Sequence, residues 1–232
     1  MSKPGNVLPW SFSSLNAFEQ CSRRYYLTKI AKVVPDPPGE AARWGNDVHK
    51  ALELAIGGSY GLGERFAQFQ PVVDRVRATH GRKFVEQKFG VTDAYTPVGF
   101  FDKSVWYRGV IDMLIVRNKT ALAMDWKLGK VRTDGDQLKL FAAATFAMHP
   151  HVEKVHTQYV WLGANKTTGK SFDRADAPHI WSEFKPRVAR MEIAQEKDRW
   201  LPNPGPLCAW CPTGKAHCEF WIAKNGRKEV DD

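Results

Sequence analysis

The residues most open to a chemical reading are Asp112, Asp125 and Lys127. They interrupt or end two apolar runs, Val110 to Val116 and Thr120 to Trp126, which flank Asn118-Lys119. Runs rich in β-branched and apolar residues predict strands. Asn tolerates the left-handed backbone of a tight hairpin, so Asn118-Lys119 predicts a two-residue turn. With that loop Arg117 faces Thr120, and counting back along both strands sets Asp112 opposite Asp125. Side chains alternate along a strand, so Lys127 shares the face of Asp125. Two close carboxylates do not both ionise without a cation between them. A divalent cation such as Mg²⁺ or Mn²⁺ prefers such oxygen ligands, and a neighbouring ammonium can neutralise a developing oxyanion. This set suits phosphodiester hydrolysis. The competing reading is a sheet edge with charges facing solvent, but charges inside an apolar sheet need partners.

The elements that must position these residues follow from the rest of the chain. Its 232 residues with 43% hydrophobic content predict one domain with a real core. The balance of 34 Lys+Arg against 25 Asp+Glu, +9 overall, favours a polyanionic partner, nucleic acid before others, with solubility charge as the bland alternative. No run reaches membrane-spanning length, and the N-terminus lacks a basic segment followed by an apolar one. No membrane association and a cytoplasmic, reducing setting are therefore expected, which directs the 4 cysteines to metal or catalysis rather than disulfides.

Residues 1–10 read as an extended lead-in. Ser13 or Ser14 can cap a helix from about Leu15 to Ile30 that carries Cys21, Arg23 and Arg24. A break at Pro35–Gly39 precedes a helix over about Ala41–Ile56, on which His49, Leu52 and Ile56 share a face. His49 by itself reads as a core histidine rather than a ligand. Gly57–Gly63 is a flexible connection and not a phosphate loop. Helix over 64–80, a strand over Lys83–Phe89 carrying Glu86, the hairpin, and a basic exit with Lys130 and Arg132 follow. Asp136 can cap a helix over Gln137–Met148. A strand over Val155–Leu162, a turn at Asn165–Gly169, and a helix after Pro178 that Pro186 kinks or begins complete the pattern. Strands joined by helices predict an α/β fold: a small central mixed sheet flanked by helices.

Cys208-Ala209-Trp210-Cys211 has chelate spacing, and Cys218 follows shortly after. Cys21 completes a set of four for Zn²⁺ or an iron–sulfur cluster and would tie the chain's ends together. Three cysteines with His217 are a further zinc option, and unligated thiols the bland one.

Taken together these features resemble the PD-(D/E)XK nucleases. Asp112 followed by Asp125-Trp126-Lys127 is similar to their signature, and Gly45–His49, Gly109–Asp112 and Gln137 resemble motifs of the RecB-like branch. The lone early cysteine and late trio resemble the CRISPR-associated iron–sulfur exonucleases and AddB-type nuclease domains. The chain departs from the pattern at Phe141, where relatives often have Tyr, and at Ile111, where the family name has Pro. The resemblance implies a restriction-endonuclease-like core over about 41–165 within a single nuclease domain, 1–232. A cysteine-ligated staple would be formed by about 13–30 and 200–222. It implies one or two Mg²⁺ or Mn²⁺ ions held by His49, Asp112, Asp125 and the Trp126 carbonyl, with Glu86 a candidate for a second metal. Lys127 would assist the water or the transition state, and Gln137 would contact DNA or support the site. Cys21, Cys208, Cys211 and Cys218 would hold a [4Fe–4S] cluster.

The expected function is metal-dependent DNA hydrolysis on single strands or free ends, 5′-to-3′ by resemblance, in recombination, repair, phage or CRISPR-adaptation processing. Arg23, Arg24, Lys130 and Arg132 would guide the phosphate backbone. The rivals are a structure-specific endonuclease on the same scaffold and a non-catalytic, zinc-stapled nucleic-acid-binding protein.

Overall fold

A computed structural model describes residues 8–58, 60–132 and 135–221. The lead-in's first seven residues, Ser59 of the glycine-rich connection and the end of the expected staple at 222 lie outside them. The chain divides into two compact units: Pro38–Lys185, and Met1–Pro37 together with Pro186–Asp232.

The first unit is built on a six-stranded sheet in the order β2-β1-β3-β4-β5-β6. Its strands are β1 (Arg82–Val91), β2 (Pro97–Val98), β3 (Tyr107–Arg117), β4 (Thr120–Lys127), β5 (Lys154–Trp161) and β6 (Lys166–Asp173). All neighbours are antiparallel except β4 and β5. A parallel pair needs a crossover, and helix α5 (Asp136–Met148) supplies it. The sheet is therefore mixed and flanked by helices. Two strands were not legible. β2 is a two-residue pair, and β6 occupies the expected turn at Asn165–Gly169 as a largely exposed, polar edge strand without an apolar alternation to mark it.

Before the sheet come α3 (Glu40–Ile56), a 3₁₀ segment over Glu64–Phe69 and α4 (Gln70–Ala78). Val48, Leu52 and Ala55 of α3 and Val73 and Val76 of α4 pack against Met113, Ile115, Met124 and Trp126 in one buried cluster. Burying each large apolar side chain there contributes roughly 1.5–3 kcal/mol. Trp126 is thus a core residue, which leaves Asp125 and Lys127, its neighbours in the alternation, for the other side. There α5 lies, with Leu138, Leu140, Phe141 and three consecutive alanines buried. Gly135 rather than Asp136 stands at its N-cap.

In the second unit, α1 (Phe12–Gln20) starts from a capping box between Ser11 and Ser14, so the cap is Ser11 and not Ser13 or Ser14. The expected single helix to Ile30 is interrupted. Cys21 is extended (φ −166°, ψ 109°), and α2 (Ser22–Tyr25) then runs into a π-turn over Tyr26–Ile30. Trp200 stacks on Tyr26 (5.1 Å) and meets Tyr25 (6.0 Å) and Phe18 (6.4 Å). Arg187 makes a fork to Glu19 at 2.8 and 2.7 Å. α6 (Ala177–Glu196), of which this unit holds the part from Pro186 onward, contains Pro186 in its interior rather than at its start. A 3₁₀ turn over Pro206–Trp210 carries Cys208 and is followed by Cys211, and α7 (Gly214–His217) is followed by Cys218. Among the described residues no helix is long and apolar enough to cross a membrane.

Candidate functional site

The β3–β4 hairpin turns at Asn118-Lys119 with Asn118 in the left-handed region (φ 51°), and Arg117 pairs with Thr120. The register is the one the sequence predicts, and its last rung is Met113 with Met124. One residue further, where Asp112 and Asp125 would pair, the Asp112 carboxylate replaces the backbone rung: Oδ2 accepts from the Trp126 N–H at 2.7 Å. Both acids are buried, Asp112 7% and Asp125 4% exposed.

His49 reaches the same place from α3. Its Nδ1 lies 3.4 Å from Asp112 Oδ2, and its Nε2 is 3.0 Å from the Trp126 carbonyl oxygen. Burial works against the imidazolium. The hydrogen bond and charge of Asp112, the charge of Asp125 and the Trp126 carbonyl outweigh it and raise the His49 pKa.

Glu86 arrives from β1. Val85 pairs with Met113 and Gln87 with Ile111, so Glu86 stands across from Asp112 without entering the ladder, and the register resumes unchanged after it. Its backbone is left-handed (φ 49°), an unusual state for a residue with a side chain, costing of order 1–3 kcal/mol. Burial, then the charges of Asp112 and Glu53, push its pKa up to about 7. Among the described residues, His49, Glu86 and Asp112 are the one trio of potential ligands whose donor atoms all lie within 4.8 Å of one another. Glu86, expected only as an optional second-metal ligand, is therefore in the central group, while Asp125 is outside that trio.

Asp125 faces Lys127 and Gln137 instead. Lys127 Nζ is 2.5 Å from Asp125 Oδ2. Gln137, on the first turn of α5, donates from Nε2 to Asp125 Oδ1 (2.8 Å) and accepts from Lys127 Nζ at Oε1 (3.1 Å). Burial, then the Asp112 charge, raises the Asp125 pKa to about 6 in spite of Lys127. Tyr159 of β5, absent from any sequence expectation, lies beside this pair: it neighbours Asp125 in the ladder, and Lys127 Nζ sits 5.2 Å from its ring centre. Its only signal is the β4–β5 register, which a crossover helix sets and no local pattern reveals.

The donors suit a hard divalent cation. Two carboxylates and an imidazole converge, with the Trp126 carbonyl beside His49, and burial first, then the Asp112 charge, raises the pKa of the Glu86 and Asp125 carboxyls, a cost that a cation would offset. Lys130 and Arg132 are exposed on the segment that leaves β4.

The four cysteines belong to the other unit. Cys21, Cys208, Cys211 and Cys218 are free and line one cavity with Arg23, Arg24, Asn203 and Trp221. Their sulfurs are not drawn together to single-ion spacing as the His49 trio is. Backbone N–H groups point at two of them, Asn203 N to Cys21 Sγ (3.5 Å) and Gly205 N to Cys208 Sγ (3.4 Å). Arg23 donates to the Trp200 carbonyl (3.2 Å) and approaches Glu219 (3.9 Å), and Arg24 approaches Asp36 (3.3 Å). The two arginines expected to guide DNA thus have partners of their own beside the cysteines.

Residues 9–218 match the family model of the PD-(D/E)XK nuclease superfamily. No curated protein matches the sequence. Among solved structures, a protein of Eubacterium rectale provisionally named an exonuclease is similar with a TM-score of 0.52 and 12% identity, covering 89% of this chain and 88% of that one. The structure of SSO0001 aligns with a TM-score of 0.44 and 15% identity over 96% of this chain and 90% of its own. At such identity the first likeness speaks for the fold alone. With the family match running from before the first helix to the last cysteine, the chain belongs to the PD-(D/E)XK nuclease superfamily.

Proposed function

We propose that the protein is a cytoplasmic, divalent-metal-dependent deoxyribonuclease that hydrolyses phosphodiester bonds, acting as an exonuclease on single-stranded DNA or free DNA ends. The observation that carries this reading is the meeting of His49, Glu86 and Asp112 within 4.8 Å, with the Asp125–Lys127 pair next to them. A binding module has no use for two buried acids, Asp112 and Asp125, with an ammonium paired to one of them. Superfamily membership supports hydrolysis. The net charge of +9 supports a nucleic-acid substrate. The finer resemblance, to the RecB-like branch and its iron–sulfur exonucleases, supports the choice of DNA ends and 5′-to-3′ action.

In this reading His49, Asp112, Glu86 and the Trp126 carbonyl would hold Mg²⁺ or Mn²⁺, with Asp125 a further candidate ligand. The bound cation supplies charge that neutralises the phosphate and makes the attacking water more acidic. Asp112 keeps its place through the Trp126 N–H. Lys127 directs its ammonium at the oxyanion that grows on phosphorus. Gln137 holds the Asp125 carboxylate and the Lys127 ammonium in one geometry. Lys130 and Arg132 receive the phosphate backbone, so binding weakens with salt. We also read the cysteine cavity as the seat of a [4Fe–4S] cluster that staples the single nuclease domain. Four free thiols around one cavity with N–H groups aimed at sulfur support it; zinc is the alternative.

The test is cleavage of end-labelled linear and circular single-stranded DNA with Mn²⁺ and with chelator. Cleavage of the linear strand alone, lost on chelation, is expected. No cleavage of either by metal-loaded protein would overturn the proposal, and cleavage of the circle would make the enzyme an endonuclease.

A further inference from the structure

Resting on the nuclease reading above, the geometry points to Tyr159 as a positioning residue: its ring is one wall of a socket that aims the Lys127 ammonium at the reacting phosphate. A lysine head on a four-carbon stem has many directions open to it and loses them only where fixed groups surround it. Lys127 Nζ meets three such groups. Asp125 Oδ2 is 2.5 Å away, Gln137 Oε1 is 3.1 Å away, and the Tyr159 ring centre is 5.2 Å away. The last distance is within the range over which an ammonium is attracted to the face of an aromatic ring.

The ring is itself fixed. Tyr159 is 2% exposed and sits in the parallel ladder beside Asp125. Trp161 meets it edge-on at 5.5 Å, and Trp161 is in turn tied by an Nε1 hydrogen bond to Thr168 Oγ1 of β6 at 2.8 Å. The lysine side chain remains one-third exposed, so the open side of the socket is the side from which a phosphate arrives. Asp125 and Gln137 attract the ammonium through polar atoms that compete with water. The ring adds attraction where no water can stand, so removing it lets the head swing and hydrate.

The test keeps the shape of the ring and varies its electrons. Phenylalanine and its mono-, di- and trifluorinated analogues are placed at 159, and single-turnover and steady-state cleavage of single-stranded DNA are measured with Mn²⁺. Fluorine withdraws the density that holds a cation, so the cleavage rate falls stepwise along the series, about tenfold from end to end. KM and Mn²⁺ affinity stay unchanged. In parallel, acylation of the Lys127 amine by an amine-selective reagent, read by mass spectrometry, accelerates along the same series. A flat cleavage rate, or acylation that does not respond to fluorine, overturns the inference. Should no variant, nor the natural protein, cleave DNA while acylation still follows fluorine, the nuclease reading fails and the socket around Lys127 stands.

Discussion

The N–H of Trp126 donates to Asp112 Oδ2 at 2.7 Å, at the point where the β3–β4 ladder would otherwise form its next rung. A carboxylate has replaced a carbonyl as the acceptor, so the strands part without leaving a buried donor unpaired. That substitution is what frees the Trp126 carbonyl and the Asp112 carboxylate to face His49. Asp112→Asn keeps an acceptor for that N–H and loses the charge. Circular dichroism and melting temperature should therefore stay near those of the natural protein while Mn²⁺-dependent cleavage disappears. Retained cleavage would remove Asp112 from the mechanism.

On the proposed reading Lys127→Ala removes a donor that acts on the reacting phosphate, and a loss of about 10²–10³-fold in turnover is expected with DNA affinity little changed. Gel-shift binding in Ca²⁺ alongside turnover in Mn²⁺ separates the two effects. A variant that loses affinity and keeps turnover would make Lys127 a phosphate-binding residue only.

The pH dependence of the metal-free protein has a definite sign. Glu86 is raised from 4.5 to about 7, Asp125 from 3.8 to about 6, and His49 above 6.5. In each case the folded state holds its proton more tightly than the unfolded chain. Stability is then full below the unfolded values and falls as pH rises through the folded ones. Without metal the melting temperature should decline between about pH 4 and pH 7, the window of those shifts. Mn²⁺ at pH 8 should restore it, because a cation balances the same charges. A melting temperature that rises across that window in chelator would contradict the arrangement of charges around Asp112.

Glu86 couples a left-handed backbone to a carboxylate that repels Asp112. Glu86→Gly relieves both, since glycine populates positive φ freely. The metal-free variant should melt higher than the natural protein, and Mn²⁺ should bind it more weakly by isothermal titration. Glu86→Gln, which keeps the strained backbone, should weaken Mn²⁺ binding and melt below Glu86→Gly. Unchanged Mn²⁺ affinity in both would take Glu86 out of the ligand set.

For the cysteine cavity, anaerobically prepared protein should be brown, with broad visible absorption from thiolate-to-iron charge transfer. Cys21→Ser should lose that colour as fully as Cys211→Ser. A colourless preparation with one zinc per chain would assign the cavity to zinc.

Much of the candidate site was legible in the sequence. Apolar runs around Asn118-Lys119 specify a hairpin register locally, so the meeting of Asp112 with the Asp125 region needed only counting. The Gly45–His49 and Gln137 positions came from resemblance rather than from pattern, since a histidine on an inward helix face carries no signal of its own. Glu86 was visible as a strand carboxylate, but its positive φ was not: nothing in Val85-Glu86-Gln87 marks a left-handed residue, and the strain is held by the ladder on both sides. The break at Cys21 was equally hidden, because Phe18 to Tyr26 contains no glycine or proline to announce it. β6 lacks apolar alternation, and Tyr159 depends on a parallel register, so both required tertiary structure.

The hairpin turn of only two residues lets Asp112 and Asp125 find each other early in folding, since closing so short a loop is fast. His49 and Glu86 must be recruited from far upstream, by contacts whose closure comes at a larger entropic cost. A chain with the hairpin alone offers the cation half a site. If the proposed site binds Mn²⁺, tight binding is a readout of completed topology, and its rate of appearance during refolding would time the docking of α3 and β1 onto the hairpin.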